Sequence, residues 1–196
     1  MILRGKFYAR DGISLAKDLL GRYLIKEVGS EKIVTKIVET EAYIGPEDKA
    51  CHAYNNKKTK RTEVMFGQPG LAYIYLIYGI HNCFNIVAAR SGKPEAVLIR
   101  AVEPISGIEY IKANRDIGNR PDRELTNGPG KLTEALGINR DFNGLSLTAG
   151  KALYLITGED ISEAEIKSGP RINIDYAEEY ADKNWRFYLK SDYISG

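Results

Sequence analysis

The chain of 196 residues contains only two cysteines and no long apolar run. Cys51 and Cys83 form no Cys-x-x-Cys pair and lie near no His-x-His spacing, which argues against a disulfide framework, a zinc site and an iron–sulfur cluster. No stretch approaches the ~20 apolar residues of a membrane-spanning helix, and the first residues lack the apolar run of a signal peptide. We therefore expect a soluble protein without metal, cofactor or membrane partner, located in the cytosol or in a nucleus if its source has one.

The chain also has no large excess of charge of one sign, because its formal net charge is only +2. Any affinity for nucleic acid must then come from local basic patches. The length and the hydrophobic content of 43% predict a single domain that spans residues 1–196. Tyrosine is abundant, with 13 copies against 5 phenylalanines and 1 tryptophan. These rings are typical either of a β-rich core with its tyrosines at the rim or of a surface that stacks on bases.

Periodicity and turn residues predict an α+β fold with a compact mixed sheet and short helices. Helices are expected at 11–21, with Asp11 or Ser14 as N-cap, at 106–117 and at 129–136. Strands are expected at 22–28, 32–43, 71–78, 83–89, 96–102, 152–157, 171–174 and 186–189. Residues 45–69 read as a long loop, and loops of that length in a compact domain are usually functional.

Polar side chains interrupt three of the predicted strands. Alternation places Glu39, Glu41 and Tyr43 on one face of the second strand, where a carboxylate is either a solvent-facing edge residue or a held catalytic group. Asn85 and Arg100 lie within apolar strands and need partners if they are buried. Arg100 has two alternative kinds of ion-pair partner. An ion pair with Glu39 or Glu103 would be structural, and one with Glu41 would keep that carboxylate ionised.

The long loop and the strand after it carry basic and aromatic residues. His52 is followed by Lys57, Lys58, Lys60 and Arg61, which form either a solvated loop or a segment that grips phosphates beside a pocket. Tyr75 and Tyr78 differ in strand parity, so both cannot be buried on one face, and one ring is left free to act as a wedge between base steps.

Taken together, these segments resemble the alkyladenine (3-methyladenine) DNA glycosylase family across nearly the whole chain. The matching stretches are Ala9-Arg10-Asp11, Leu19-Leu20-Gly21, Glu39-Thr40-Glu41-Ala42-Tyr43, Gly45-Pro46-Glu47-Asp48, His52, Met65-Phe66-Gly67, Pro69-Gly70, Tyr73-Ile74-Tyr75, Tyr78-Gly79, Asn85, Val97 to Pro104, Gly128 to Leu132 and Arg171-Ile172. The resemblance implies a small domain with a curved, mostly antiparallel mixed sheet flanked by short helices.

The resemblance also implies roles for individual residues. Glu41 would be the general base and Arg100 would help to position the attacking water. Tyr43, His52 and Tyr75 would stack on the extruded base, Asn85 would discriminate against the amino group of guanine, and Leu98 and Met65 would shape the pocket. Tyr78 would fill the gap left in the duplex. The residues expected on the DNA backbone are Lys57, Lys58, Lys60, Arg61 and Lys131.

The implied reaction is direct hydrolysis of the bond between a damaged purine and its sugar in double-stranded DNA, with no Schiff base and no strand nicking. The damaged purines would be alkylated, deaminated or etheno bases, and the enzyme would be a cofactor-free monomer, nucleoid-associated in a prokaryote. His52 is a candidate proton donor for neutral bases. The loop 53–61 lacks the Arg-Gly composition often seen in the family, and His81 follows Tyr78 where some relatives carry Tyr. The resemblance therefore does not determine the grip on the DNA strand or the substrate range. Two alternatives are a binding module without catalysis and a hydrolase of free nucleosides.

Overall fold

The computed structural model describes residues 1–195. Its α-helices are α1 (Gly5–Tyr8), α2 (Gly12–Asp18), α3 (Ile108–Asn114) and α4 (Pro129–Ala135). Its strands are β1 (Tyr23–Val28), β2 (Glu31–Ile44), β3 (Ala72–Ile77), β4 (His81–Ala88), β5 (Glu95–Ser106), β6 (Leu153–Ile156), β7 (Lys167–Gly169) and β8 (Arg186–Tyr188). Short 3-10 turns occupy Tyr54–Asn56, Glu63–Phe66, Asp122–Leu125, Arg140–Phe142, Glu163–Glu165 and Asp175–Tyr180.

The eight strands form one open sheet in the order β3-β4-β5-β2-β1-β6, with β8 paired to β2 and β7 paired to β8. Every strand pair within residues 1–195 is antiparallel. The expected single α+β domain with a mostly antiparallel sheet is therefore confirmed. The long strand β2 is central, because it pairs with β5 along one edge and with β1 and then β8 along the other.

Helices cover one face of this sheet and form the main core there. Leu15 and Leu19 pack with Phe84, Ile86 and Ile99 in one fully buried cluster. Burial of each such side chain stabilises the fold by roughly 1.5–3 kcal/mol. The N-cap of α2 is Asp11, whose side chain accepts a hydrogen bond from the backbone N–H of Ser14 at 2.9 Å. The helix expected at 11–21 thus begins where the sequence predicted and ends three residues early, before Gly21 turns the chain with φ of 76°.

The long loop covers part of the opposite face. Within it, Cys51, Ala53 and Met65 pack against Tyr73 and Val87 of the sheet. A buried, two-pronged ion pair fastens the loop, because Arg171 Nη1 and Nη2 donate to the two oxygens of Asp48 at 2.5 and 2.8 Å. The loop is therefore an ordered wall over the sheet.

Near the carboxyl end one strand prediction is wrong and one strand was missed. Residues 171–174 form no strand, because the side chain of Arg171 is buried in the ion pair with Asp48 and the backbone bends around it, with Asn173 at φ of 59°. The strand is Lys167–Gly169 instead, a polar segment that has no strand periodicity and pairs with β8. Among the helices of residues 1–195, none is long and apolar enough to cross a bilayer.

Candidate active site

One cross-strand row of the sheet brings together residues from four strands. Tyr73 pairs with Asn85, Asn85 with Leu98, and Leu98 with Glu41. Side chains of directly paired residues in antiparallel strands point to the same face. The register therefore delivers an aromatic ring, an amide, an apolar side chain and a carboxylate to the face that the long loop covers.

Glu41 is fully buried, and each of its carboxylate oxygens has a partner. Tyr43 Oη donates to Oε2 at 2.8 Å, and the backbone N–H of Ile172 donates to Oε1 at 2.8 Å. Arg100 Nη1 lies 3.2 Å from Oε1. Since Tyr43, Arg100 and Ile172 all line the neighbouring cavity, the carboxylate lies directly behind the cavity wall. The solvent-facing edge position that the sequence left open for Glu41 does not occur.

Arg100 sits at an irregularity between β2 and β5. Glu39 pairs with Ala101 and the next residue, Thr40, pairs with Ile99, so Arg100 has no direct partner on β2. Such bulges re-aim side chains and are common next to active sites. Arg100 forms ion pairs with both Glu39 and Glu41. Burial lowers its pKa, but the two carboxylates raise the pKa by more. Glu103, the other expected partner, pairs with Lys36 instead.

The cavity has a volume of about 260 Å³, close to the lower end of the ~300–1,000 Å³ range of small-ligand sites. All six predicted pocket residues line it, and Tyr78, the residue predicted to act as a wedge, stands at its mouth. The lining residues are Tyr43, Ala50, Cys51, His52, Met65, Tyr73, Tyr75, Ile77, Tyr78, His81, Cys83, Asn85, Ala96, Leu98, Arg100, Pro129, Gly130, Ile172, Asn173, Ile174 and Tyr176.

The ring of His52 is held in one orientation and in the neutral state. Arg61 Nη2 lies 3.1 Å from His52 Nε2, and His52 Nδ1 lies 2.9 Å from Tyr73 Oη. A guanidinium can only donate, so Nε2 is the acceptor and Nδ1 carries the proton. Burial and the charge of Arg61 lower the pKa of His52 from 6.5 to about 4. His52 is therefore uncharged at neutral pH and a poor proton donor there.

The amide of Asn85 is also fixed. Its Nδ2 donates to the backbone carbonyls of Tyr73 and Cys83 at 3.1 and 3.3 Å. Both of its N–H groups are then used within the sheet, and only Oδ1 remains to meet a guest in the cavity. Met65 and Leu98 are almost fully buried and also line the cavity.

Tyr78 stands in the turn between β3 and β4 at the mouth of the cavity, with φ of 53° and 78% of its surface exposed. Ile80 in the same turn is also exposed. Large apolar side chains that stay exposed together on a soluble domain commonly mark a binding surface.

The predicted backbone-binding residues fall into three groups. Lys57, Lys58 and Lys60 are exposed on the long loop. Arg61 is turned against the cavity wall, with its guanidinium 4.8 Å from the Tyr75 ring centre. The ammonium of Lys131 is engaged by Glu124 and Asn127, both at 2.7 Å.

Sequence reasoning missed the contributions of the segment that follows β7. The Arg171-Ile172 pair was noted without a role, yet it places the Ile172 N–H on Glu41 and the Arg171 guanidinium 4.8 Å from the Tyr43 ring centre. Tyr176 at the cavity rim carried no signal at all. Within residues 1–195 no group of three or more His, Cys, Asp or Glu side chains is arranged to hold a metal ion.

Comparison with known proteins gives a consistent result. The model of the methylpurine-DNA glycosylase family matches residues 6–193. A protein of Natranaerobius thermophilus is 51% identical over 192 residues, covering 98% of this chain and 97% of its own. One from Carboxydothermus hydrogenoformans is 50% identical over 196 residues, covering 100% and 99%. One from Bacillus cereus is 50% identical over 191 residues, covering 94% and 93%. All three are provisionally named 3-methyladenine DNA glycosylases.

Proposed function

The chain belongs to the methylpurine-DNA glycosylase family, and from this we propose that it flips a damaged purine nucleotide out of duplex DNA and hydrolyses its glycosidic bond by direct attack of water. As a family member it is a DNA glycosylase for alkylated bases, and hence a hydrolase of DNA repair that acts on DNA. The proposed part concerns the residues, the extrusion step and the range of purines, which would include deaminated and etheno bases.

One observation carries the proposal: a buried carboxylate, Glu41, is held behind an aromatic cavity by Arg100, Tyr43 and the Ile172 N–H. A carboxylate has about four lone-pair positions, and these three groups use about three of them. In the proposed reaction, a water that enters the cavity would occupy the remaining position. Glu41 would deprotonate this water, and its negative charge would stabilise the oxocarbenium-like sugar as the bond breaks.

The cavity suits a flat, electron-poor guest. His52 and Tyr75 meet edge to face with ring centres 4.5 Å apart, and Tyr43 also lines the cavity. Each base–aromatic contact is worth roughly 1–3 kcal/mol, which offsets the few kcal/mol that extrusion costs. A purine alkylated on a ring nitrogen is cationic, and electron-rich rings favour a cation. A neutral His52 adds no repulsion to such a guest.

Tyr78 would fill the gap that an extruded nucleotide leaves. Its ring is exposed to solvent and adjoins the cavity. A single binding mode of the duplex would therefore bring Tyr78 between the base pairs and the extruded base into the cavity. Exposed Lys57, Lys58 and Lys60 would hold the backbone. Arg61 and Lys131 would have to leave their present partners to do so. The cavity is built from one chain, so we take a monomer as the working unit.

Direct hydrolysis without strand nicking is supported by the composition of the wall. A lyase reaction of the Schiff-base type needs an amine beside the sugar, and no lysine of residues 1–195 lines the cavity. A cationic base leaves without a further proton, whereas a neutral base needs a donor. With its pKa lowered to about 4, His52 is a weak choice for that donor.

Glu41→Gln tests the proposal. The variant keeps the shape of the side chain and removes its basicity, so release of an alkylated purine from duplex DNA should fall by roughly a thousandfold or more. Affinity for the lesion-containing duplex, measured by fluorescence anisotropy, should stay within several-fold. A matched control is Glu103→Gln, the same change on β5 at a carboxylate paired with Lys36. Unchanged base release by Glu41→Gln would refute the assignment.

A further inference from the structure

A second buried carboxylate lies two residues before Glu41 and is not used by the reaction proposed above. Glu39 is fully buried on the same side of β2 as Glu41, and both contact Arg100. Burial of two carboxylates so close together is costly unless cations and hydrogen bonds compensate them. The compensating groups around Glu39 are therefore informative.

Four donors converge on Glu39. Its Oε1 accepts from Arg100 Nε at 3.2 Å and from Arg186 Nη1 at 3.0 Å. Its Oε2 accepts from the backbone N–H and the hydroxyl of Ser195, both at 2.6 Å. The Ser195 hydroxyl oxygen in turn lies 3.1 Å from Arg100 Nε. Glu39, Ser195 and Arg186 thus enclose one end of the Arg100 guanidinium.

This arrangement sets how Arg100 meets Glu41. Where an arginine is free to do so, it grips a carboxylate with two nitrogens, as Arg171 grips Asp48. The Nε of Arg100 is instead committed to Glu39 and Ser195, and Nη1 approaches Glu41 Oε1 at 3.2 Å. A two-pronged grip would occupy the lone-pair position of Glu41 that the attacking water needs.

We infer that Glu39, together with Ser195, is a positioning residue that holds the Arg100 guanidinium turned partly away from Glu41 and so keeps one acceptor position of Glu41 open for water. The inference rests on the proposed role of Glu41. It assigns Glu39 no contact with DNA, because its side chain has no exposed surface.

The charges around the two carboxylates predict the effect of neutralising Glu39. Arg100 from β5, Arg186 from β8 and Arg171 beside Ile172 supply positive charge, and Asp48 compensates Arg171. Tyr43 and Cys83 also face this region, and burial, as the largest cause, raises the pKa of both, so they stay neutral. With Glu39 uncharged, Arg100 and Arg186 act on Glu41 alone. Removal of the Glu39 charge takes away its repulsion of the Glu41 carboxylate, and Arg100 is free to turn onto Glu41.

The experiment compares Glu39→Gln, Ser195→Ala and the control Glu103→Gln in single-turnover base release from duplex DNA across the pH range. Glu39→Gln should slow release by about tenfold or more and move the acid limb of the profile to lower pH by about one unit. Ser195→Ala should change both in the same direction, with a rate loss of roughly threefold. The control should match the unmodified enzyme.

A purely structural role for Glu39 predicts something different: a lower melting temperature and a rate loss that follows the folded fraction, with an unmoved acid limb. That result, or an unchanged rate and profile, would overturn the inference. Should Glu39→Gln not fold, Ser195→Ala decides, since it retains the backbone hydrogen bond to Glu39. If Glu41→Gln still releases the base, the proposed function itself fails. If Glu41→Gln is inactive while Glu39→Gln and Ser195→Ala behave like the unmodified enzyme, only this inference is lost.

Discussion

Replacement of Tyr78 by alanine should separate an enzyme that works on duplex DNA from one that acts on free nucleosides. The side chain is 78% exposed, so its loss removes little packing and should leave the melting temperature within the usual range for surface changes. The backbone at Tyr78 has φ of 53°. Alanine and tyrosine meet the same steric restriction there, so the turn should keep its shape.

The expected magnitude follows from stacking. A ring that fills the gap in the duplex contributes roughly 1–3 kcal/mol, and each 1.4 kcal/mol corresponds to a factor of about ten in the extrusion equilibrium. Tyr78→Ala should therefore slow single-turnover release from duplex DNA by about 5- to 150-fold. Tyr78→Phe keeps the ring and should stay within about threefold.

The informative assay measures both variants on the same lesion in a duplex and in a single strand, with enzyme in excess. Extrusion from a single strand needs no gap filling, so Tyr78→Ala should approach the rate of the unmodified enzyme on that substrate. Equal rates for Tyr78→Ala and the unmodified enzyme on the duplex would refute the wedge. Equal losses on both substrates would mean that Tyr78 acts on the cavity instead.

Two further predictions concern the loop that walls the cavity. Between pH 6.5 and about 4, His52 takes up a proton in the unfolded chain but not in the folded chain. The free energy of unfolding should therefore fall as the pH drops through that window, by at most ~3 kcal/mol. Arg61→Ala should raise the pKa of His52, measured by NMR titration, but not as far as its ordinary value of 6.5, because burial is the larger cause of the shift. An unchanged pKa would contradict the contact between Arg61 and His52. Asp48→Asn weakens the buried pair with Arg171 and should cost about 3–5 kcal/mol in urea unfolding, whereas a loss under ~1 kcal/mol would show that the pair does not hold the loop.

Local patterns were sufficient for much of the fold. Alternation in β2 and β3 placed Glu41 with Tyr43, and Tyr73 with Tyr75, on one face, because side chains of a strand alternate strictly between faces. The helix at α2 was recognisable from Asp11 and Gly21. The segment around Arg171 was not, because its conformation follows from a buried ion pair with Asp48, 123 residues away, and leaves no periodic trace.

The amino-acid sequence by itself was enough to identify the family and to nominate Glu41, Arg100 and the aromatic residues, since motif identity and strand parity are local properties. Only the tertiary structure decided which donors hold the nominated carboxylate. The Ile172 N–H is 131 residues from Glu41, and Ser195 is 156 residues from Glu39. Such partners are chosen by packing between distant segments, where burial forces every charge to find a donor or a counter-ion, and no spacing along the chain encodes that choice.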